Sequence, residues 1–207
     1  MIKIENTKIY GLEESCIASG YPKNKEVSYS KADFFNSIYR SKKLAKAQQG
    51  SGHDCFLKGI IVQTDLTAPQ FFFQQIQRYH FLDIVSSQSK MHNILSFDFY
   101  NDCTEFVDIK IKEILSFFQN EYKKNTTYEN FRKVLDNTPT GLLMTARITT
   151  NYLQLKTIYT QRKEHKLNEW KIFLEWIENL EKFKELVLGG KEGEEQYLKV
   201  KKKWIRY

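Results

Sequence analysis

Proline and glycine are scarce in this 207-residue chain, at three and nine occurrences. Collagen-like and proline-rich low-complexity architectures are thereby excluded, and each break in the chain becomes informative. The three cysteines, Cys16, Cys55 and Cys103, are widely spaced, and no CxxC or Cys/His cluster occurs. Neither a disulfide framework nor a zinc site is suggested, so three buried, reduced thiols and no bound metal are expected. No run approaches the roughly 18 uncharged apolar residues that cross a bilayer. The opening MIKIENTKIYGLEES also lacks the basic-then-apolar pattern of a secretory leader. The expectation is a cytoplasmic protein with no membrane partner.

What is present is apolar and aromatic. Hydrophobic residues make up 41%, with fifteen Phe and twelve Tyr, too apolar for disorder. The length suits one compact α/β domain over residues 1–190, followed by a tail at 191–207. The formal net charge is +7, and five positive charges crowd into KVKKKWIR at Lys199–Arg206, beside acidic residues between Glu192 and Glu195. Such a tail either solvates the surface or serves as an arm for nucleic acid, which it would hold by displacing counterions.

The punctuation divides the chain into elements. Ala32 to Gln49 reads as a helix burying Phe34, Phe35, Ile38 and Tyr39 with Lys42, Lys43 and Lys46 in solvent, and Gly50-Ser51-Gly52 ends it. Phe56 to Thr67 is β-branched and alternating, a strand; Thr67 then caps a helix through PQFFFQQIQRY, with Pro69 in its first turn. One or more of Phe71, Phe72 and Phe73, unable to share one helix face, would meet a neighbouring subunit. His80 to Phe99 has no sustained period and reads as loop. Helices follow at Thr104–Tyr122, capped by Asp102, and at Tyr128–Leu135, with a turn at Thr138–Gly141. Two long helices, Ala146–Arg162 and Leu167–Leu188, close the pattern, the second stopped by Gly189-Gly190.

Three segments, about half the chain together, carry a likeness. Gly52-His53-Asp54-Cys55-Phe56-Leu57-Lys58-Gly59 places a histidine just before a strand. Gln77 to Met91 holds Arg78, Tyr79, His80, Gln88, Ser89 and Lys90. Asn151 to Arg162 places Asn151, Leu155, Ile158 and Arg162 near i, i+4, i+7 and i+11, one helical face. In this order they resemble the flavin-dependent thymidylate synthases, or ThyX family. There the first segment is a leading His followed by a Glu-His pair, the second is R-H-R-x-x-S-x-N-E-x-S-x-R-Y, and the third is N-L-R-S-L-x-x-F-x-x-L-R. This chain departs at Lys58-Gly59 for the Glu-His pair, at Tyr79 and His80 for His and the second Arg, at Gln88 for the serine, at Leu153 for an Arg, and at the flavin-facing Thr157.

The resemblance implies a ThyX-like α/β (α+β) fold, a central mixed sheet packed with long helices, assembled as a homotetramer with sites at subunit contacts. It implies a pyrimidine nucleotide of the dUMP kind held by Arg78, Gln88, Lys90, Arg147 and Arg162, since guanidinium groups bind phosphate bidentately. His53, His80 and Asn151 would face FAD, and Arg162 and Ser89 would stand at the chemistry. The cofactor supplies the redox step of methyl transfer to uracil, and the protein supplies orientation and charge. Three functions stay open: a divergent transferase, a nucleotide binder that has lost flavin chemistry, and an interaction protein using the basic tail. In isolation Arg162 could equally be a solvated helix end, His53 a strand entrance, and Ser86, Ser87 and Ser89 turn residues.

Overall fold

A computed structural model describes residues 2–189 apart from 26, 28 and 49. The basic tail, its acidic neighbours, Gln49 and Gly190 lie outside the described residues. The order of elements is β1 (Lys3–Tyr10), α1 (Leu12–Ala18), α2 (Lys31–Ala45), β2 (Ile61–Pro69), α3 (Gln70–Ile76), β3 (Asp83–Ser87), α4 (Lys90–Asn93), α5 (Ile109–Lys124), α6 (Tyr128–Asp136), β4 (Leu143–Asn151), α7 (Tyr152–Arg162) and α8 (Asn168–Asn179). The four strands form one sheet in the order β1-β2-β4-β3. The chain groups into two compact units, Met1–Thr7 with Thr64–Thr149, and Lys8–Gln63 with Thr150–Tyr207.

In the first unit β3 pairs antiparallel with β4, Asp83 opposite Thr149 and Ser87 opposite Ala146, with an irregularity between Ile84 and Ser86. His80–Phe99 is therefore not mainly loop. The strand at Asp83–Ser87 has a mostly exposed face and no apolar alternation of its own, so it exists through its partner. Its neighbour β4 alternates in burial through Ala146, Ile148 and Thr150. That period of two corrects the helix expected to begin at Ala146: MTARITT is β-branched strand, and α7 starts only after Asn151 caps it, accepting from the Gln154 N–H at 2.9 Å.

Caps explain other boundaries. Thr67 does not cap α3: β2 runs on to Pro69, and the Thr67 hydroxyl meets the Thr145 hydroxyl at 2.7 Å. Asp102 does not cap α5 either. Its carboxylate accepts from the Asp98 N–H at 2.8 Å, closing a turn, and Asp108 accepts from Lys110 N–H at 2.8 Å to start the helix. Helices α5 and α6 cover a cluster of Ile94, Phe99, Cys103, Leu115, Val134 and Leu142. Each such buried side chain contributes about 1.5–3 kcal/mol.

In the second unit α2 begins with a capping box between Ser30 and Asp33. Its buried stripe runs through Phe34, Ser37, Ser41 and Ala45, while Phe35 and Tyr39 are exposed, correcting the expected aromatic face. Small serines occupy the inner positions and are satisfied there, Ser37 donating to the Phe34 carbonyl at 2.8 Å and Ser41 to the Cys16 carbonyl at 3.3 Å. Lys42 is likewise buried rather than solvated, paired with Glu185 at 2.9 Å. Residues 55–59 form a tight 3-10 turn before β2, with Cys55 exposed, unlike the buried Cys16 and Cys103. The final long helix is broken: α8 ends at Asn179, Lys182 takes φ 59°, and a wider turn at Lys184–Leu188 ends on Gly189 at φ 83°. Tyr152 stacks edge-on against Phe183 at 5.1 Å in this core. Among the described residues no helix is long and apolar enough to cross a membrane.

Candidate functional site

The first unit contains a pocket of about 310 Å³ lined by Gln70, Phe73, Gln74, Gln77, Ile84, Ser87, Met144, Thr145 and Ala146. Its origin lies in α3. Phe72 and Ile76, four residues apart, are fully buried and fix the helix. The stripe left over is Gln70, Phe73, Gln74 and Gln77, at i, i+3, i+4 and i+7, and it forms one wall. The helix start is tied down by the Gln70 N–H to the Leu142 carbonyl at 3.2 Å and the Phe71 N–H to the Thr140 carbonyl at 3.3 Å. The second wall is β3 and β4. Gln88 fastens their ends: its backbone N–H donates to the Thr145 carbonyl and its side-chain oxygen accepts from the Thr145 N–H, both at 2.9 Å.

No lining side chain is charged. Three carboxamides, two hydroxyls and a thioether offer donors and acceptors beside the ring of Phe73, the mixture of apolar wall and few polar groups found in small-molecule sites. The volume lies at the small end of such sites, fitting a single ring better than a dinucleotide. The amide stripe was legible in FFFQQIQ at helical spacing, yet reading by charge alone passes over neutral ligands.

The segments around the pocket carry several of the expected nucleotide residues. Arg78 directly follows Gln77 and is exposed; Lys90 opens α4, three residues after Ser87. Neither side chain has a hydrogen-bond or ion-pair partner among the described residues. Ser89 accepts from the His92 N–H at 3.4 Å and caps α4. His80 is exposed, its ring edge-on to Phe81. Arg147 is committed elsewhere: its guanidinium donates to Asp65 and to the Asn6 carbonyl, both at 3.0 Å. Hydrogen bonds from Asn6 and then Arg147 hold the Asp65 carboxyl below the usual carboxylate range.

His53, Asn151 and Arg162 belong to the second unit. Arg162 lies over the Trp170 ring at 4.7 Å, a cation–π contact. His165, which follows, is held below the usual histidine value by desolvation and by the charges of Arg162 and Lys166. Asn151 spends its side-chain oxygen on the helix cap. His53 is exposed in the loop that ends at Asp54. That loop is anchored by Lys156, whose ammonium donates to the Ala45 carbonyl at 2.7 Å, the Ala47 carbonyl at 3.2 Å and Asp54 at 2.7 Å.

Toward a flavin this donor set is thin. A Cβ at position 59 would stand 2.4 Å from Ser15 Oγ, so the turn before β2 has no room for a histidine there. The Thr157 hydroxyl donates back to the Leu153 carbonyl at 3.2 Å. Among the described residues no group of three or more His, Cys, Asp or Glu is placed to hold a metal ion.

No family model matches the chain, and no curated protein is similar to it in sequence. Solved structures do match. One is the flavin-dependent thymidylate synthase ThyX from Helicobacter pylori complexed with FAD and dUMP, at TM-score 0.66 and 10% identity over 91% of this chain and 97% of that one. A second structure of the Helicobacter enzyme with FAD and dUMP gives 0.65 and 9%, over 91% and 98%. A UMP/dUMP methylase, PolB, from Streptomyces cacaoi bound with 5-Br dUMP gives 0.58 and 11%, over 90% of each chain. Over nine-tenths of its length, the chain thus has the ThyX fold that the motifs at His53, Arg78 and Asn151 imply.

Proposed function

We propose that this chain binds a pyrimidine nucleotide of the dUMP type in the amide-lined pocket of its first unit. The base lies against Phe73 with its polar edge toward Gln74, Gln77, Ser87 and Thr145, and the phosphate is met by Arg78 and Lys90. The observation that carries the reading is the pocket itself: a neutral donor and acceptor lining of about 310 Å³ flanked in the chain by two cations free of partners among the described residues. It is supported by the fold shared with structures that hold dUMP or its bromo analogue. Amides suit this task because a uracil edge presents acceptor, donor and acceptor in turn, and a carboxamide can answer both kinds.

Binding of ligand to the native state alone raises stability by about 2.7 kcal/mol at a hundred times Kd. For a chain of this length that is a Tm increase of roughly 5–10 °C. Thermal unfolding with and without millimolar dUMP tests it. The rise is expected with the native chain and is reduced in Gln77→Leu and Arg78→Ala. No shift with dUMP, UMP or dTMP refutes the assignment.

A second reading is methyl transfer to the uracil ring, favoured by the FAD and dUMP held together in the Helicobacter structures of this fold. The flavin would supply the redox chemistry. The visible absorbance of the purified protein decides between them. A flavin spectrum, native or after incubation with FAD, supports the transferase; its absence leaves nucleotide binding alone.

A further inference from the structure

The polar groups around the pocket divide into those already engaged and those left over. Gln70 is engaged, its amide nitrogen donating to the Met144 sulfur at 3.2 Å. Gln88 occupies both backbone groups of Thr145, at 2.9 Å each. The Thr145 hydroxyl meets that of Thr67 at 2.7 Å. What remains is Gln74, Gln77 and Ser87. All three line the pocket and are exposed, and their side chains have no hydrogen-bond partner among the described residues.

These three side chains share one property. A carboxamide carries an acceptor and a donor side by side, and its terminal torsion is broad and roughly twofold, so an exposed one turns either end toward a ligand. A hydroxyl also gives and accepts, and rotates to suit its partner. The backbone N–H and carbonyl of Thr145 have a fixed direction, but Gln88 has taken both. Telling apart two ligands of one shape needs a polar group of fixed direction, because only such a group is left unpaired by the wrong ligand. Uracil and cytosine are two ligands of this kind. The uracil edge presents acceptor, donor and acceptor; the cytosine edge presents acceptor, acceptor and an amino donor on a ring of the same size.

We infer that the pocket does not distinguish these two bases: it takes pyrimidine nucleotides with a 4-amino group as readily as those with a 4-oxo group, dCMP beside dUMP. This rests on the reading of the pocket as a nucleotide site. Selection then operates by size, because a space of about 310 Å³ suits one ring and not the fused pair of a purine. Gln74, Gln77 and Ser87 turn to match whichever edge arrives, while Phe73 meets the face that both bases have in common.

Isothermal titration of the full chain with dUMP, dCMP and dAMP near neutral pH provides the test. The dissociation constants of dUMP and dCMP agree within about threefold, and that of dAMP is higher than either by roughly tenfold or more. Gln74→Glu and Gln77→Glu each replace a group that gives and accepts with one that only accepts. In at least one of them the ratio of the two pyrimidine constants moves by roughly fivefold or more, since one base then meets that acceptor with an acceptor of its own. Both positions are exposed, and circular dichroism establishes that the variants are folded. A native preference beyond about threefold for either base overturns the inference and leaves the nucleotide site standing. So does dAMP binding as well as the pyrimidines, which would place the affinity in the phosphate alone, or a ratio unmoved in both variants. Failure of all three nucleotides to bind overturns the nucleotide reading, and the inference falls with it.

Discussion

Removing the ammonium of Lys156 should cost this protein about as much stability as truncating one of the fully buried apolar side chains of α7. The group uses all three of its hydrogens, on Asp54 and on the carbonyls of Ala45 and Ala47. The Asp54 side chain is only 3% exposed and that of Lys156 17%, so solvent screening is weak. In Lys156→Met the methylene stem survives while Asp54 keeps a buried carboxylate without its counter-ion. Breaking a buried pair from one side costs about 3–5 kcal/mol, which for this chain length lowers Tm by roughly 6–20 °C. The double variant Asp54→Leu with Lys156→Met should recover much of the loss, because replacing both partners by apolar groups removes the uncompensated charge. Differential scanning calorimetry on the two singles and the double closes the cycle, with a coupling of about 2 kcal/mol or more expected. Limited proteolysis of Lys156→Met adds a local readout, because the segment carrying Gly50, Gly52 and His53 loses its anchor and should be cut first. A loss below about 1 kcal/mol in Lys156→Met, or strict additivity in the double, would refute the reasoning.

Further outcomes follow from single contacts. Gly59→Ala places a Cβ 2.4 Å from Ser15 Oγ, so it should lower stability by about 1–3 kcal/mol, and Ser15→Ala, which removes that oxygen, should return most of it in chemical unfolding. Burial pushes the Cys16 thiol up to about 11, offset in part by Ser41, and raises Cys103 as well; a thiol reagent at pH 8 should therefore modify exposed Cys55 quickly and the other two only in denaturant. The Tyr159 hydroxyl donates to Glu178 at 2.5 Å, and that bond, followed by Lys184, holds the Glu178 carboxyl below its ordinary 4.5. A depressed carboxyl stabilises the fold above its unfolded value and loses that contribution as pH falls through the folded one. The Tm gap between the native chain and Tyr159→Phe should accordingly be full at pH 6 and shrink below about 4.5; a gap that widens on acidification contradicts it.

Much of the helical outline was legible because its signals are local. The apolar period of YENFRKVLD marks α6, and in the structure Thr127 caps it, accepting from the Asn130 N–H. Gly189 stops the last turn in the left-handed region, where only glycine is comfortable. The kinship in fold was legible too, from motifs spread over half the chain, although hydrophobic pattern alone did not carry it. Misreadings fell where two signals competed. MTARITT satisfies a strand period and also sits upstream of a good helix, and only the pairing of β4 with β3 assigns it to the sheet.

The sequence by itself therefore determined the start of α2 and the position of α6, since propensity, capping and spacing act over a few residues, although α2 ends at Ala45 and not at Gln49 beside Gly50. Tertiary structure alone decided that Asp83–Ser87 is a strand, that serines rather than Phe35 and Tyr39 line the inner face of α2, that Arg147 is spent on Asp65, and that three glutamines wall a pocket. Those outcomes depend on which distant segment arrives opposite each residue. Hydrogen-bond satisfaction and packing volume settle that only once the chain has closed on itself.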